Sequence, residues 1–365
     1  MKKYLLVFIF SLFAVLSFRT AQAMESIFYL TQDAFNNTLF TKAVLDDIQN
    51  HSTLISILAP QVYSFADNGL VIGDLDPALT ELAKKNNIKM MPLVTNSGFS
   101  QNIAHNILKD PLAKGRLLDG LLNLCRVHNF YGIQLDIEHV NYQDKDALTQ
   151  FIQTAAEAFH KNGYVLSIAV VPPLENFPLL YDAYQKWVFE NWSGAYDFVA
   201  LSKNVDFLTL MTYDYNSSLT MPGPISPIKT VEKSLNILLA DKIPADKISL
   251  GIPLYSGYWT TAPNAVETDG SYKKPSFILK RVTVDYATLS SILASVKKPL
   301  LWDEEAQVHY LIMNQYGRNG FLYVENAQAF QAKLDLVNRY HLRGFSAWKI
   351  PLEDPGIWEI IKKPT

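Results

Sequence analysis

The stretch YGIQLDIEHV, residues 131–140, alternates apolar and polar side chains over six consecutive positions. Successive side chains of a β-strand point to opposite faces, so one face of this strand is oily and the other is polar. The oily face carries Ile133, Leu135 and Ile137, and the polar face carries Gln134, Asp136 and Glu138. Two interpretations fit: an antiparallel strand with one face in water, the commoner cause of such alternation, or a strand of a closed barrel with polar groups inside.

The rest of the chain favours the barrel, because short apolar runs alternate with amphipathic helical patterns such as residues 146–163. The runs that we interpret as strands are 26–30, 54–60, 88–96, 131–138, 164–173, 207–215, 247–255 and 344–350. Eight strands separated by helices predict an α/β protein with a (β/α)8 TIM barrel. Parallel strands covered by helices have no water-facing side, so the polar face of residues 131–138 would line the barrel interior.

One stretch departs from this alternation. Between residues 260 and 324, a helical pattern at 285–294 is followed by two strand-like runs, VHYLIMNQ and GFLYV, on either side of YGRNG. This pattern predicts a small α+β insertion between strand 7 and helix 7 of the barrel. The predicted domains are therefore a signal peptide at 1–23, a catalytic barrel at 24–259 and 325–365, and the insertion at 260–324.

The N-terminus has the pattern of a secretory signal peptide. Lys2 and Lys3 precede an uncharged apolar run, Tyr4–Phe18, and the small-residue motif AQA follows at 21–23. The run is shorter than the ~20 residues that a membrane-spanning helix needs. We expect cleavage after Ala23, a secreted or periplasmic protein, and no membrane contact after cleavage; a retained anchor is the alternative.

Charge and cysteine content exclude several classes of function. The chain has 32 basic and 35 acidic side chains, and signal cleavage would remove three of the basic ones. Such an acidic surface offers no general affinity for nucleic acid.

The sole cysteine, Cys125, cannot form an internal disulfide. It recurs at helical spacing with neighbouring leucines, which indicates an inert thiol on the buried face of a helix. The chain contains no GxSxG, HExxH or glycine-rich phosphate-loop motif.

The polar face of residues 131–138 suggests acid–base chemistry. Catalytic groups of such barrels lie at the carboxyl ends of the strands, so Glu138 would lie at the mouth and Asp136 one step deeper. A carboxyl group next to a second carboxyl and apolar walls has a raised pKa and can act as a general acid. The two groups should titrate as a coupled pair. We expect protonation of a leaving oxygen, as in glycoside cleavage, although barrels also bury polar residues for packing.

Several motifs match one protein family in the order expected. YGIQLDIE (131–138) resembles the DxxDxDxE strand-4 signature of family 18 glycoside hydrolases, the chitinase-like barrels. LMTYDY (210–215) resembles the family's strand-6 motif, KISLGIPLYSGYW (247–259) its strand 7, and GFSAWKI (344–350) its strand 8. Within the family the chain looks most similar to the branch that includes spore-cortex-lytic N-acetylglucosaminidases and chitinase-domain proteins.

The resemblance implies a role for each matching residue. Glu138 matches the general acid/base, Asp136 the residue that hydrogen-bonds the substrate's acetamido group, and Tyr213 the donor to the acetamido carbonyl. Met211 and Asp214 match sugar contacts, and Trp348 matches the indole beneath the distorted sugar. The resemblance therefore implies a substrate with an N-acetyl group, with no metal and no organic cofactor.

Two residues depart from the family signature, and two others are further candidates for substrate binding. The first and second acids of the signature are Tyr131 and Gln134 here, and an amide at 134 can hydrogen-bond substrate or neighbours but cannot ionise, which alters the charge coupling to Asp136. Tyr63 and Tyr255, at the ends of strands 2 and 7, could stack on sugar faces and are candidate substrate-binding residues, but a role as core or loop anchors is equally compatible with the sequence.

The resemblance thus implies a glycosidase that hydrolyses β-1,4 linkages of N-acetylglucosamine-containing glycans by substrate-assisted, retaining catalysis. The alternative is a catalytically silent, chitinase-like sugar-binding protein; such lectins usually lack the glutamate, and Glu138 is present. The expected partner is an N-acetylated glycan, and we expect a monomer. Chitin and peptidoglycan, and endo and exo cleavage, all remain open from the sequence.

Overall fold

The computed structural model describes residues 24–31, 40–174, 183–218, 220–261, 279–315 and 318–362, so the predicted signal peptide lies outside the described residues. The strands are β1 (Glu25–Thr31), β2 (Ile57–Phe65), β3 (Val71–Gly73), β4 (Lys89–Met90), β5 (Leu93–Asn96), β6 (Gly132–Asp136), β7 (Val165–Val170), β8 (Phe207–Leu210), β9 (Ile248–Pro253), β10 (Ser256–Thr261), β11 (Leu279–Val284), β12 (Leu301–Asp303), β13 (Val308–Gln315), β14 (Arg318–Val324) and β15 (Gly344–Ile350).

The α-helices lie between these strands and after the last one. They are α1 (Lys42–Asn50), α2 (Pro77–Lys85), α3 (Gln101–Lys109), α4 (Pro111–His128), α5 (Lys145–Lys161), α6 (Ala183–Asn191), α7 (Phe198–Asn204), α8 (Ile228–Ala240), α9 (Tyr286–Val296), α10 (Ala327–Arg339) and α11 (Gly356–Ile361). Within the described part of the chain, no helix combines the length and apolarity needed to cross a membrane.

The strands predicted from the apolar runs form a closed parallel barrel. Their order is β1, β2, β5, β6, β7, β8, β9 and β15, and the ring closes because β1 pairs in parallel with both β2 and β15. The short strand β4 precedes β5 and also pairs with β2. The predicted (β/α)8 barrel is therefore confirmed.

Two predicted strands are shorter than the apolar runs suggested. The run at 88–96 is divided into β4 and β5 at Pro92, which has no N–H to donate to a neighbouring strand. The run at 207–215 ends as a strand at Leu210, because the chain then turns tightly: Thr212 N donates to the Leu210 carbonyl and Tyr213 N to the Met211 carbonyl, both over 2.8 Å. This turn leaves Tyr213 at the barrel mouth.

The barrel has an apolar layer outside its strands and a mixed interior. Ile133, Leu135 and Ile137 pack in the outer cluster against helix residues, whereas Gln134 and Asp136 are buried inside the ring. This is the arrangement predicted from the alternation of residues 131–138. The same period of two that buries the apolar side chains under the helices brings the polar side chains together.

The segment between β9 and α10 forms a separate five-stranded antiparallel sheet in the order β11-β10-β14-β13-β12. It includes β10, which begins at Ser256, four residues before the predicted start of the insertion. One face packs on α9, where Leu289 meets Leu311 and Leu322. On the other face, Trp259 packs with Tyr255 of the barrel. The sheet is thus attached to the mouth of the barrel beside β8, β9 and β15.

A pair of carboxyl groups lies on the barrel exterior, between α1 and the chain after β15. Asp47 Oδ2 and Glu353 Oε2 are buried and have no hydrogen-bond partner among the described residues. His51 Nδ1 lies 3.2 Å from the other Asp47 oxygen, Oδ1. Burial and the neighbouring Asp47 raise the pKa of Glu353 to about 8. One proton shared by the two carboxyl groups would satisfy both unpaired oxygens.

This carboxyl pair predicts a pH-dependent stability. Because the native state raises the pKa of Glu353, its protonation stabilises the fold fully below the ordinary glutamate pKa, and this contribution is lost as the pH rises toward 8. We expect the free energy of unfolding in urea to fall by about 4–5 kcal/mol over that window. Glu353→Gln should flatten the dependence, and an unchanged slope in that variant would contradict the assignment.

Candidate active site

Glu138 is held at the mouth of the barrel by the neighbouring strand. It lies two residues beyond the end of β6, where Asn96, the last residue of β5, forms two hydrogen bonds with its main chain. Glu138 N donates to Asn96 Oδ1 over 3.0 Å, and Asn96 Nδ2 donates to the Glu138 carbonyl over 3.0 Å. The clamp fixes the main chain of Glu138 although the residue is no longer part of the strand.

Asp136 lies below Glu138 with an unpaired oxygen. Its side chain is buried, and Oδ1 has no hydrogen-bond partner among the described residues. Burial, reinforced by the charge of Glu138, raises the pKa of Asp136. A buried polar atom without a partner is costly, so this oxygen is suited to accept a hydrogen bond from a ligand.

The environment of Glu138 suits a group that gives and takes a proton. Burial raises the pKa of Glu138, and the negative charge of Asp214 raises it further. The hydrogen bond from the Trp192 indole N–H lowers this pKa, and so does the nearby His139. With Asp136 beside it, the pair does not readily carry two negative charges. A protonated Glu138 at the open end of the barrel can act as a general acid.

Gln134 belongs to a neutral layer beneath the two acids. Its Oε1 accepts a hydrogen bond from the Tyr29 hydroxyl, and its Nε2 donates to Ser167 Oγ over 2.8 Å and to Thr209 Oγ1 over 2.9 Å. Its side chain is fully buried and all three of these bonds are to protein groups, and its role as a substrate contact stays a prediction. The amide links neighbouring strands and leaves Glu138 as the charged neighbour of Asp136.

Tyr213 lies beside the acids because β9, the neighbouring strand of the barrel, has a glycine opposite it. A Cβ at Gly251 would be 3.0 Å from Tyr213 Cε1 and 2.4 Å from the Leu210 carbonyl oxygen, so only glycine leaves room for this ring. Burial and nearby groups, among them Asp136 and Glu138, raise the pKa of Tyr213 well above its ordinary value. Its hydroxyl therefore keeps its proton and is a hydrogen-bond donor at working pH.

Aromatic residues form the wall of the site on the side of β9 and β15. Tyr255 packs edge-on against Tyr213, with 6.4 Å between ring centroids, and both contact the cluster that includes Trp259 and Trp348. Trp348 also packs on Tyr29, 5.3 Å away, above the layer of Gln134. Aromatic walls of this kind suit the apolar faces of sugar rings.

Asp214 is joined to the insertion sheet. It has a left-handed backbone conformation, with φ of 56°, and its Oδ1 accepts a hydrogen bond from Arg281 Nη2 over 2.5 Å. The Arg281 guanidinium lies 5.9 Å from the centroid of Tyr255. Its Nε is buried without a hydrogen-bond partner among the described residues. Arg281 of β11 therefore supplies a cation to the site from outside the barrel.

The structure brings most of the predicted residues together. Around the mouth lie Asp136, Glu138, Met211, Tyr213, Asp214, Tyr255 and Trp348; Met211 is half-buried and lies two residues before Tyr213. Tyr63 does not lie with them. A register shift between Gln61 and Tyr63 places Tyr63 opposite Val94, and its ring packs in the outer layer against Phe130. The structure therefore places Tyr63 apart from this group, and its role in substrate binding stays a prediction.

Sequence reasoning missed three residues of the site. Asn96 clamps Glu138, Trp192 bonds its carboxylate, and Arg281 bonds Asp214. Asn96 ends a predicted strand, which was a usable signal because strand ends converge at the mouth. Trp192 and Arg281 follow no strand of the barrel, and no motif distinguished them.

Two neighbouring acids and a protonated tyrosine lie at the carboxyl ends of the barrel strands. This arrangement is typical of a glycoside hydrolase. The model of the family described as "Glycosyl hydrolases family 18" matches residues 26–353. The chain belongs to glycosyl hydrolase family 18 and is a glycoside hydrolase.

Known proteins similar to this chain include bacterial glycosylases and a chitinase. The Bacillus subtilis protein described as an uncharacterized glycosylase, YvbX, is 25% identical over 375 residues, which cover all of both chains. The cortical fragment-lytic enzyme of B. subtilis is 28% identical over 80% of this chain, which spans 64% of that enzyme. The crystal structure of a chitinase from Chromobacterium violaceum has a similar fold, with a TM-score of 0.77 and 24% identity over 93% of this chain and 98% of the chitinase.

Proposed function

We propose that this protein is a secreted or periplasmic glycosidase that hydrolyses β-1,4 linkages of N-acetylglucosamine-containing glycans, either peptidoglycan or chitin oligomers. The observation that carries the proposal is the buried Asp136 Oδ1 directly beneath Glu138, which has no hydrogen-bond partner in the part of the chain that the structure describes. An acetamido N–H is a donor of the right kind for this oxygen, and the glycosidic oxygen would then lie near Glu138. The cortical fragment-lytic and chitinase relatives are consistent with this class of substrate.

The proposed reaction is substrate-assisted and retains the anomeric configuration. The acetamido carbonyl oxygen attacks the anomeric carbon, the glycosidic C–O bond breaks, and the leaving oxygen takes the proton of Glu138. Asp136 accepts a hydrogen bond from the acetamido N–H, and Tyr213 donates one to the carbonyl oxygen, which stabilises the cationic intermediate. Water then attacks the anomeric carbon, the Glu138 carboxylate takes its proton, and the acetamido oxygen leaves.

The aromatic wall and the insertion sheet would bind the sugar. Trp348 and Tyr255 present apolar surface, and Asp214 with Arg281 offers polar partners for hydroxyl groups. The neutral layer of Gln134 places no charge below Asp136, so Glu138 carries the proton transfers while Asp136 accepts the acetamido hydrogen bond. The proposed mechanism therefore needs one acid/base residue and one residue that orients the acetamido group.

The test compares three substrates side by side: N-acetylated chitin oligomers, the same oligomers without acetyl groups, and purified peptidoglycan. We expect reducing ends from at least one N-acetylated substrate and none from the deacetylated oligomers, because the acetamido group is the proposed nucleophile. Hydrolysis of the deacetylated oligomers at a similar rate would contradict the mechanism. Binding without turnover on both N-acetylated substrates would contradict the enzymatic function and favour a sugar-binding protein.

A further inference from the structure

Trp192 contacts Glu138 directly although it is 54 residues away along the chain. Its indole Nε1–H donates a hydrogen bond to Glu138 Oε2 over 2.8 Å. An indole nitrogen donates and does not accept, so it can bond only a lone pair of the carboxyl group. The bond therefore uses a lone pair of Oε2 and favours Oε1 as the oxygen that carries the proton.

The segment that contains Trp192 is attached to the end of strand β6. Tyr196 OH donates a hydrogen bond to the Ile137 carbonyl over 2.9 Å, so this segment bonds two successive residues, Ile137 and Glu138. The turn between the two donors needs a glycine: a Cβ at Gly194 would lie 2.5 Å from the Phe189 carbonyl oxygen. The position of Trp192 is thus set by the same strand end that positions the acid.

Both partners of the Trp192–Glu138 hydrogen bond are held by other contacts. The ring of His139 lies 5.0 Å from the Trp192 ring, and its Nδ1 is 3.0 Å from the Phe99 carbonyl oxygen, which it bonds as a donor. Asn96 holds the Glu138 main chain through two hydrogen bonds. A donor and an acceptor that are each fixed in place cost little entropy to bring together.

We propose that Trp192 is a positioning residue for Glu138: its N–H holds the carboxyl group with Oε1 toward the leaving oxygen and stabilises the carboxylate that remains after proton transfer. This inference rests on the proposed function and deepens it, because it assigns the control of the acid to a side chain outside the family signature. A charge-assisted hydrogen bond becomes stronger when Glu138 gives up its proton, so the stabilisation develops during the acid step.

The titratable groups that face Glu138 come from three parts of the fold: its own strand end, the segment after α6 and the end of β8. They are Asp136, His139, Tyr196, Tyr213 and Asp214. Burial raises the pKa of Glu138, and the Trp192 hydrogen bond is the largest influence that lowers it. Removing the N–H should therefore raise the pKa of Glu138 and move the basic limb of the pH profile to higher pH.

The test is Trp192→Phe, which keeps an aromatic ring and removes the donor. We expect the basic limb of kcat/KM to move up by about one pH unit, as the loss of a hydrogen bond to a charged group implies. We also expect kcat at the optimum to fall about tenfold, since the carboxyl rotamer is no longer fixed, with KM nearly unchanged. Trp187→Phe is the matched control, because Trp187 lies on α6 with its side chain exposed, and its profile should match wild type.

A loss of rate in Trp192→Phe with the basic limb unmoved would overturn the proposal, because a merely structural role lowers the rate without moving that limb. Tryptophan fluorescence gives a second readout that does not need this variant to fold. Wild-type emission should titrate with Glu138, and Glu138→Gln should abolish that titration; emission that titrates equally in both would also overturn the proposal. If wild type is inactive on every substrate, the proposed function fails, but the fluorescence comparison still decides whether Trp192 reports on Glu138.

Discussion

Glu138→Gln is expected to lower kcat/KM on N-acetylated oligomers or peptidoglycan by roughly 10²–10⁴-fold, the usual contribution of a general acid/base. Glutamine has the same shape but cannot give its proton to the leaving oxygen. Its carbonyl can still accept the Trp192 hydrogen bond, and its main chain keeps the Asn96 clamp. Substrate affinity should therefore change little, and the defect should appear in kcat.

The measurement is the rate of reducing-end release, with the binding constant determined separately. Glu353→Gln is a matched control, because Glu353 is also a buried carboxyl with a raised pKa but lies outside the site on the barrel exterior. It should retain wild-type activity near neutral pH. Equal activity of Glu138→Gln and wild type would exclude Glu138 as the acid/base and with it the mechanism proposed above.

Lys333→Met is expected to destabilise the protein by about 3–5 kcal/mol, the cost of leaving a buried charge without its partner. Lys333 and Glu325 are both buried, and Lys333 Nζ lies 2.7 Å from Glu325 Oε2. The other oxygen, Oε1, accepts a hydrogen bond from Ser226 N over 3.1 Å. Methionine fills similar space but cannot balance the carboxylate, so the free energy of unfolding in urea should fall.

An exposed ion pair provides the control for this variant. Lys229 and Glu305 lie 2.9 Å apart with most of their side-chain surface in water, so Lys229→Met should cost less than about 1 kcal/mol. Adding Glu325→Gln to Lys333→Met should recover much of the loss, because no charge is then buried. A Lys333→Met protein as stable as Lys229→Met would show that the buried pair contributes little.

The same buried pair is connected to the active site by a chain of hydrogen bonds. Ser226, bonded by Glu325, donates its hydroxyl to the Thr212 carbonyl over 2.5 Å, and Thr212 donates its own hydroxyl to the Gly251 carbonyl over 2.5 Å. Thr212 directly precedes Tyr213. Loss of the pair should therefore reduce turnover as well as stability in Lys333→Met.

The barrel and its acids could be predicted because their signals are local. The alternation of residues 131–138 distinguishes an inside from an outside face, and the order of strands and helices implies closure. Asp136 and Glu138 then follow from position on the strand. Strand periodicity could not place Tyr63 in the same way, because a register shift in β2 lies between Gln61 and Tyr63.

The sequence by itself determined the barrel, the family and the acids, because strand periodicity and strand order are written in consecutive residues. Only the tertiary structure decided which distant groups surround those acids. Trp192 and Arg281 reach Glu138 and Asp214 across 54 and 67 residues. Only the structure shows that Gln134 forms a neutral layer with Tyr29, Ser167 and Thr209. A hydrogen bond depends on distance and direction in space, and no local pattern specifies these between segments that meet only when the chain folds.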